Sequence, residues 1–266
     1  MHVADVDGDG DLDIIRASLY DDTVAWYENT GNGYTGHVIT SSANGAIAVY
    51  AEDIDSDGDI DILSANYYEA KIAWYENNGS ESFTAHTIST SMSYAYDVYA
   101  QDIDSDGDMD VVGSAYNSDQ VVWFENNGSE SFTSHTVTTA ADGASSVHVE
   151  DVDSDGDMDI LSASINDDKI AWYENNGSQA FTARTISTTA DGAFDLYALD
   201  FDQDGDVDVL SSSMYDHEIT MYENNGSQTF TAFVIGTGVN GTRSVYAGDM
   251  DNDGDTDIIA TALNDD

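Results

Sequence analysis

The sequence predicts an all-β fold: a β-propeller of four-stranded antiparallel blades, about 49 residues per blade, with an acidic loop between the first and second strands of each. Three observations predict it. The pattern D-x-D-x-D-G-D-x-D occurs six times, opening at Asp5, Asp53, Asp102, Asp151, Asp200 and Asp249. The spacings are 48 residues and then 49 four times over, which is the mark of a repeat architecture. Between the loops, short runs rich in β-branched and aromatic residues recur, and no window sustains helical spacing.

The repeat 45–93 shows each element in order. The apolar run AIAVYA, 46–51, enters the acidic loop, and DILSA, 61–65, leaves it. A turn at 67–70 leads to KIAWYE, 71–76, which NNGS closes at 77–80; FTAHTIST, 83–90, is the fourth run. Runs of this length, punctuated by Asn-Gly and acidic turns, read as four antiparallel strands. The first three are apolar on both faces, as in VVWF at 121–124, and must be covered on both sides. The fourth alternates and carries Thr, Ser and His, as an outer edge strand does.

A repeat of this size cannot bury its own core, so the repeats 1–44, 45–93, 94–142, 143–191 and 192–240 and the partial repeat 241–266 are expected to stack into a single propeller over 1–266. The sixth repeat reaches Asn264, Asp265 and Asp266 after only two strands, making roughly 22 strands in all. Two completions suit that count: the terminal strands finish a blade, or a neighbouring chain or further sequence does. Self-association through the partial repeat follows from the second.

The acidic loops carry 30 of the 53 acidic residues. Position one is Asp5, Asp53, Asp102, Asp151, Asp200 or Asp249, and position three Asp7, Asp55, Asp104, Asp153, Asp202 or Asp251. Position five is Asp9, Asp57, Asp106, Asp155, Asp204 or Asp253; position seven is Asp11, Asp59, Asp108, Asp157, Asp206 or Asp255. Position nine is Asp13, Asp61, Asp110, Asp159, Asp208 or Asp257, and position six is always glycine. Carboxylates this crowded repel one another unless a cation sits among them. Hard oxygen donors at alternate positions around a glycine turn suit Ca2+, up to six ions, one per loop. Side chains one, three, five and nine are assigned as ligands, with the backbone carbonyl of position seven; the position-seven side chain is expected to face outward. An EF-hand is a poor match, because the twelfth residue is Arg16, Ser64, Gly113, Ser162, Ser211 or Ala260 and never Glu. Zinc is disfavoured without cysteine or clustered histidine.

Formal net charge is −48, with only five basic residues. Such a surface repels phosphate backbones and argues against nucleic acid or acidic lipid as partners. No stretch approaches the ~20 apolar residues of a membrane span, and no signal peptide is read before the first loop. There is no Cys from which to read a redox compartment.

The six loops and the apolar strands after them, such as 60–63 (IDIL) and 158–161 (MDIL), resemble the FG-GAP or VCBS-type repeats of integrin-like β-propellers. The resemblance covers essentially the whole chain. It implies calcium in the first hairpin of each blade, an extracellular or cell-surface setting, and adhesion, carbohydrate binding or a scaffold role. It also implies closure with six to eight blades, from which this chain departs in its count.

Other recurring positions have two readings. Trp26, Trp74, Trp123 and Trp172, with Met221 in the fifth repeat, read as packing between blades in preference to a sugar-stacking platform. Glu28, Glu76, Glu125, Glu174 and Glu223 are expected to accept hydrogen bonds from a nearby turn in preference to forming a carboxylate ring. His37, His86 and His135 share a position with Arg184 and Phe233, and read as outer-strand surface residues. Tyr50, Tyr99, His148, Tyr197 and Tyr246 line the central channel or one face. The sequons at Asn78, Asn127, Asn176, Asn225 and Asn240 read as tight turns, with glycan attachment depending on the source cell.

No nucleophile triad, phosphate-cradling loop or isolated carboxylate pair appears, and near-identical repeats argue against one specialised active site. The expectation is a non-catalytic, extracellular, calcium-binding propeller serving adhesion, ligand binding or structural assembly, its partner an extracellular protein or glycan. The alternatives are a lectin-like propeller and an accessory domain of a secreted polysaccharide-degrading enzyme.

Overall fold

The computed structural model describes residues 1–251 and 253–263; the chain end at Asn264, Asp265 and Asp266, where the sequence stops its sixth repeat, lies outside them. The described residues form 22 strands and no helix. Blade one holds β1 (His2–Ala4), β2 (Asp13–Ser18), β3 (Thr23–Asn29) and β4 (Tyr34–Thr40). Blade two holds β5 (Ala46–Glu52), β6 (Asp61–Asn66), β7 (Lys71–Asn77) and β8 (Phe83–Ser89). Blade three holds β9 (Ala95–Gln101), β10 (Asp110–Ala115), β11 (Gln120–Asn126) and β12 (Phe132–Thr138). Blade four holds β13 (Ala144–Glu150), β14 (Asp159–Ser164), β15 (Lys169–Asn175) and β16 (Phe181–Ser187). Blade five holds β17 (Ala193–Leu199), β18 (Asp208–Ser213), β19 (Glu218–Asn224) and β20 (Phe230–Thr237); β21 (Thr242–Gly248) and β22 (Asp257–Ala262) pair alone.

Each full blade is an antiparallel meander in sequence order. The second strands β6, β10, β14 and β18 are buried at every residue, whereas β8, β12 and β16 are exposed at alternate or adjacent positions, as expected of an outer strand. A β-bulge near the start of the first strand recurs: in β9 the register skips from Ala95 to Asp97, and β5, β13, β17 and β21 skip at the matching place.

The chain forms two compact units, Met1–Thr139 and Ala140–Asp266. In the first, one core cluster joins Trp26 and Val24 of blade one to Ala46 and Val49 of blade two, and another joins Trp74 and Ile72 to Met92, Ala95 and Val98. In the second, Trp172 and Ile170 pack on Ala193, Leu196 and Ala198. The four tryptophans are at most 2% exposed, and Trp26, Trp74 and Trp172 sit in these interblade clusters. Within each unit the first strands also share a file of rings: His2 to Tyr50 at 4.4 Å and Tyr50 to Tyr99 at 4.5 Å in the first, His148 to Tyr197 at 4.9 Å and Tyr197 to Tyr246 at 5.1 Å in the second. These residues therefore share one face of the first strands. Burial lowers the pKa of both His2 and His148 to about 4, so both rings are neutral at pH 7.

Candidate metal centre

Each acidic loop joins the first strand of a blade to the second, and its own carboxylates shape it. In blade two, Asp53 accepts the N–H of Asp57 (3.0 Å) on one oxygen and that of Gly58 (3.0 Å) on the other. Asp55 accepts the N–H of Asp57 (3.2 Å), and Asp57 that of Asp59 (2.9 Å). The same bonds form around Asp5, Asp7 and Asp9, and around Asp249, Asp251 and Asp253. The turn needs a left-handed residue at position six, where the glycines take φ of 94–98°.

Position nine is the keystone. Asp61 is fully buried and accepts the N–H of Ile54 (3.1 Å) on one oxygen and of Asn77 (2.7 Å) on the other, tying the loop to the end of β7. Asp13, Asp110, Asp159 and Asp208 repeat both bonds. The Asn77 side chain donates to the carbonyl of Ile60 in its own loop (3.2 Å) and of Val6 in the loop of blade one (3.1 Å). Asn126 links Met109 and Ile54 in the same way, and Asn224 links Val207 and Val152. The sequence reading missed this asparagine. Its signal was present, since Asn29, Asn77, Asn126, Asn175 and Asn224 all end a third strand after Glu.

In each of the first five loops three carboxylates bring oxygens within 4.8 Å of one another. The groups are Asp5, Asp7 and Asp13; Asp53, Asp55 and Asp57; Asp102, Asp104 and Asp110; Asp151, Asp153 and Asp159; and Asp200, Asp202 and Asp208. Positions one and three thus always converge, joined by nine in four loops and by five in one. Position seven belongs to none of these groups. Its carboxylate lies instead against the turn between the third and fourth strands: a Cβ on Gly226 would meet Asp206 Oδ2 at 2.5 Å, and Asp59, Asp108 and Asp157 crowd Gly79, Gly128 and Gly177 likewise. The sequence reading had that side chain facing outward. The neighbouring Asn78 side chain caps the same turn, its Oδ1 accepting the N–H of Ser80 at 3.0 Å, as the tight-turn reading of the sequons expects.

The charges are uncomfortable without a counter-ion. Burial pushes Asp61, Asp110 and Asp159 up to about 7, against the opposing pull of the N–H groups they accept. Burial also raises Asp55, Asp104 and Asp153, with the neighbouring carboxylates adding to it. Asp153 Oδ1 is buried and accepts no hydrogen bond, a cost that a cation shared with Asp151 and Asp159 would remove. An all-oxygen donor set with an orphaned buried carboxylate oxygen fits a hard divalent cation.

A second arrangement recurs on the outer half of blades one to four. His37 stacks on Trp26 (4.6 Å) and bonds Glu28 (2.9 Å); His86 stacks on Trp74 (4.5 Å) and bonds Glu76 (2.7 Å); His135 stacks on Trp123 (4.6 Å) and bonds Glu125 (2.6 Å). In blade four Arg184 takes that place, over Trp172 at 5.9 Å with Nε donating to Glu174 at 2.6 Å. These glutamates therefore bond the fourth strand, where the sequence reading gave them a nearby turn. The histidines are packed braces as well as surface residues.

Four-stranded blades that each carry a carboxylate cluster able to hold a cation define a β-propeller repeat protein. The chain belongs to the FG-GAP-like repeat family, whose model matches residues 5–64, 53–113, 102–162, 151–211 and 200–260. No curated protein matches it by sequence. Among solved structures it is similar to an Agrocybe aegerita lectin studied for recognition of non-reducing terminal N-acetylglucosamine, at 21% identity and TM-score 0.68, over 97% of this chain and 73% of that one. It is also similar to a catalytically inactive virginiamycin B lyase from Staphylococcus aureus (14% identity, TM-score 0.61, 92% of this chain and 72% of that one). A third is the V. cholerae biofilm matrix protein Bap1 (18% identity, TM-score 0.54), where the match covers 92% of this chain and 40% of that one. At these identities the likeness is one of fold. No helix among the described residues is long and apolar enough to cross a membrane.

Proposed function

We propose that this chain is a non-catalytic, extracellular binding module whose blades are locked by calcium, acting in adhesion, ligand binding or structural assembly. The observation that carries the reading is the convergence of three carboxylates in each of the first five loops, as in the trio Asp151, Asp153 and Asp159. Calcium is preferred over magnesium because flexible carboxylates on a tight loop suit the larger ion. An all-oxygen carboxylate site on a short loop suits a setting rich in calcium. The biofilm-matrix neighbour supports a structural role. Bound calcium would be held by positions one, three, five and nine, and would supply charge neutralisation, leaving recognition to other surfaces. Calorimetric titration of the chelator-stripped chain tests this. Heats saturating at up to six calcium ions, and reduced by Asp151→Asn with Asp153→Asn, support it; no binding at millimolar calcium overturns it.

A second reading, a glycan-binding propeller, is favoured by a cleft of about 210 Å³ between blades four and five, lined by Trp172, Arg184, Thr185, Ser227, Gln228 and Phe230. Aromatic edges beside hydroxyl and amide groups suit a sugar, and the Agrocybe neighbour is a lectin. Glycan-array binding lost in Gln228→Ala would move the assignment to this reading.

A further inference from the structure

The end of the blades opposite the acidic loops has one junction unlike its neighbours. Between blades one and two, Asp22 of the β2–β3 turn accepts the N–H of Gly45 at 2.9 Å, and Gly45 takes φ +76°. Asp168 does the same for Gly192 (2.9 Å), and His217 Nδ1 for Gly241 (3.0 Å). Between blades two and three the corresponding pair is Ala70 and Tyr94. Alanine has no side-chain acceptor, and Tyr94 takes φ +56°, a conformation that disfavours a bulky side chain. Both halves of a stabilising contact are given up together where glycine would fold with less strain. Local departures of this kind concentrate at functional positions.

An aromatic cluster stands in their place. Tyr94 stacks on Tyr67 with centroids 4.3 Å apart and planes at 13°. Tyr67 meets Tyr68 edge-on at 5.2 Å and Tyr96 at 6.0 Å, and Tyr96 reaches Tyr116 at 5.8 Å. Tyr96 is the residue that the β9 register skips; the bulged residues elsewhere are Ile47, Ser145, Phe194 and Arg243. Tyr68 and Tyr94 are 53% and 40% exposed, so the cluster opens to solvent. Burial, and then the nearby phenols of Tyr94, Tyr116 and Tyr68, raise the pKa of the Tyr67 hydroxyl.

We propose that this tyrosine cluster is a docking site for arginine or lysine side chains of a basic partner segment. Ring faces are electron-rich and attract cations, most of all guanidinium. The molecule uses that pairing internally: all three of its arginines stand over rings, Arg16 over Tyr27, Arg184 over Trp172 and Arg243 over Phe194. Those three rings all lie outside the tyrosine cluster, which gathers more rings than any of those sites. A chain of net charge −48 draws a basic partner toward it, and exposed Glu69 adjoins the cluster beside Tyr68. The proposal does not depend on cations at the acidic loops, which lie at the other end of the same blades.

Tyr94→Gly tests it, because glycine is the residue at this position in the other four junctions. The probe is an arginine-rich decapeptide, titrated at physiological ionic strength, with and without calcium, and followed by calorimetry and tyrosine fluorescence. The expected result is a melting temperature equal to or above that of the parent, with peptide affinity roughly tenfold weaker. Tyr68→Leu, at a half-exposed position where the ring also packs on Gly45, is expected to weaken binding with only a small fall in the melting temperature. Equal peptide affinity in parent and variants overturns the proposal. So does a fluorescence change caused by methyl glucoside and not by the peptide, which would make the cluster a sugar site.

Discussion

The two ends of each blade answer to different physical demands. At one end six loops repeat the same five aspartates and the same glycine, down to shared hydrogen bonds. At the other, equivalent positions hold Gly45, Tyr94, Gly143, Gly192 and Gly241, and the bulged residue is Ile47, Tyr96, Ser145, Phe194 or Arg243. A turn needs only suitable backbone, and many side chains satisfy it. A carboxylate cluster needs its whole donor set at once. Uniformity at one end thus points to a common ligand, and divergence at the other is where individual recognition can arise.

Cation removal should break the comparison most severely. At 100 times its dissociation constant an ion stabilises by about 2.7 kcal/mol per site, so a few sites match the ~5–15 kcal/mol net stability of a typical domain. Thermal melts in excess chelator are expected to fall by tens of degrees, and an unchanged melt would contradict structural cations. The stripped protein should then show an inverted pH response. Asp61, Asp110 and Asp159 titrate near 7 in the fold against 3.8 ordinarily, so the fold holds their protons more tightly than the unfolded chain. Their contribution is most favourable below about pH 4 and is lost as pH rises from about 4 to about 7. With calcium the trend reverses, because protons compete with the ion, and affinity should weaken as pH falls below 7.

Within a single loop, Asp110→Ala strands the buried N–H groups of Ile103 and Asn126 and should cost about 3–5 kcal/mol. Asp108→Ala, at position seven of the same loop, should cost under about 1 kcal/mol. Denaturant titration of the two variants would separate keystone from periphery. The smallest effect belongs to the opposite end: Asp168→Ala removes the acceptor for Gly192 N–H and should cost about 1 kcal/mol by the same measurement.

The four-stranded antiparallel sheet of each repeat and burial of the tryptophans were legible in the sequence because a period of 49 residues places equivalent side chains in equivalent surroundings. The convergence of positions one and three was legible from alternation on a tight loop. The partner of position seven was not, because Gly79 lies 20 residues beyond Asp59 and only the folded hairpin brings them together. The glutamate–histidine braces escaped for the same reason, since Glu76 and His86 meet across strands β7 and β8. Position nine reads from the sequence as a ligand; what its two N–H bonds show is that it holds the loop to the third strand.

The most direct measurement is a crystal structure grown in calcium, with anomalous scattering recorded from the bound metal. Calcium-locked loops predict a peak shared by Asp151, Asp153 and Asp159, ringed by oxygens at about 2.3–2.6 Å and satisfying Asp153 Oδ1. Ordered loops without such a peak, with the aspartates turned out to solvent, would contradict it.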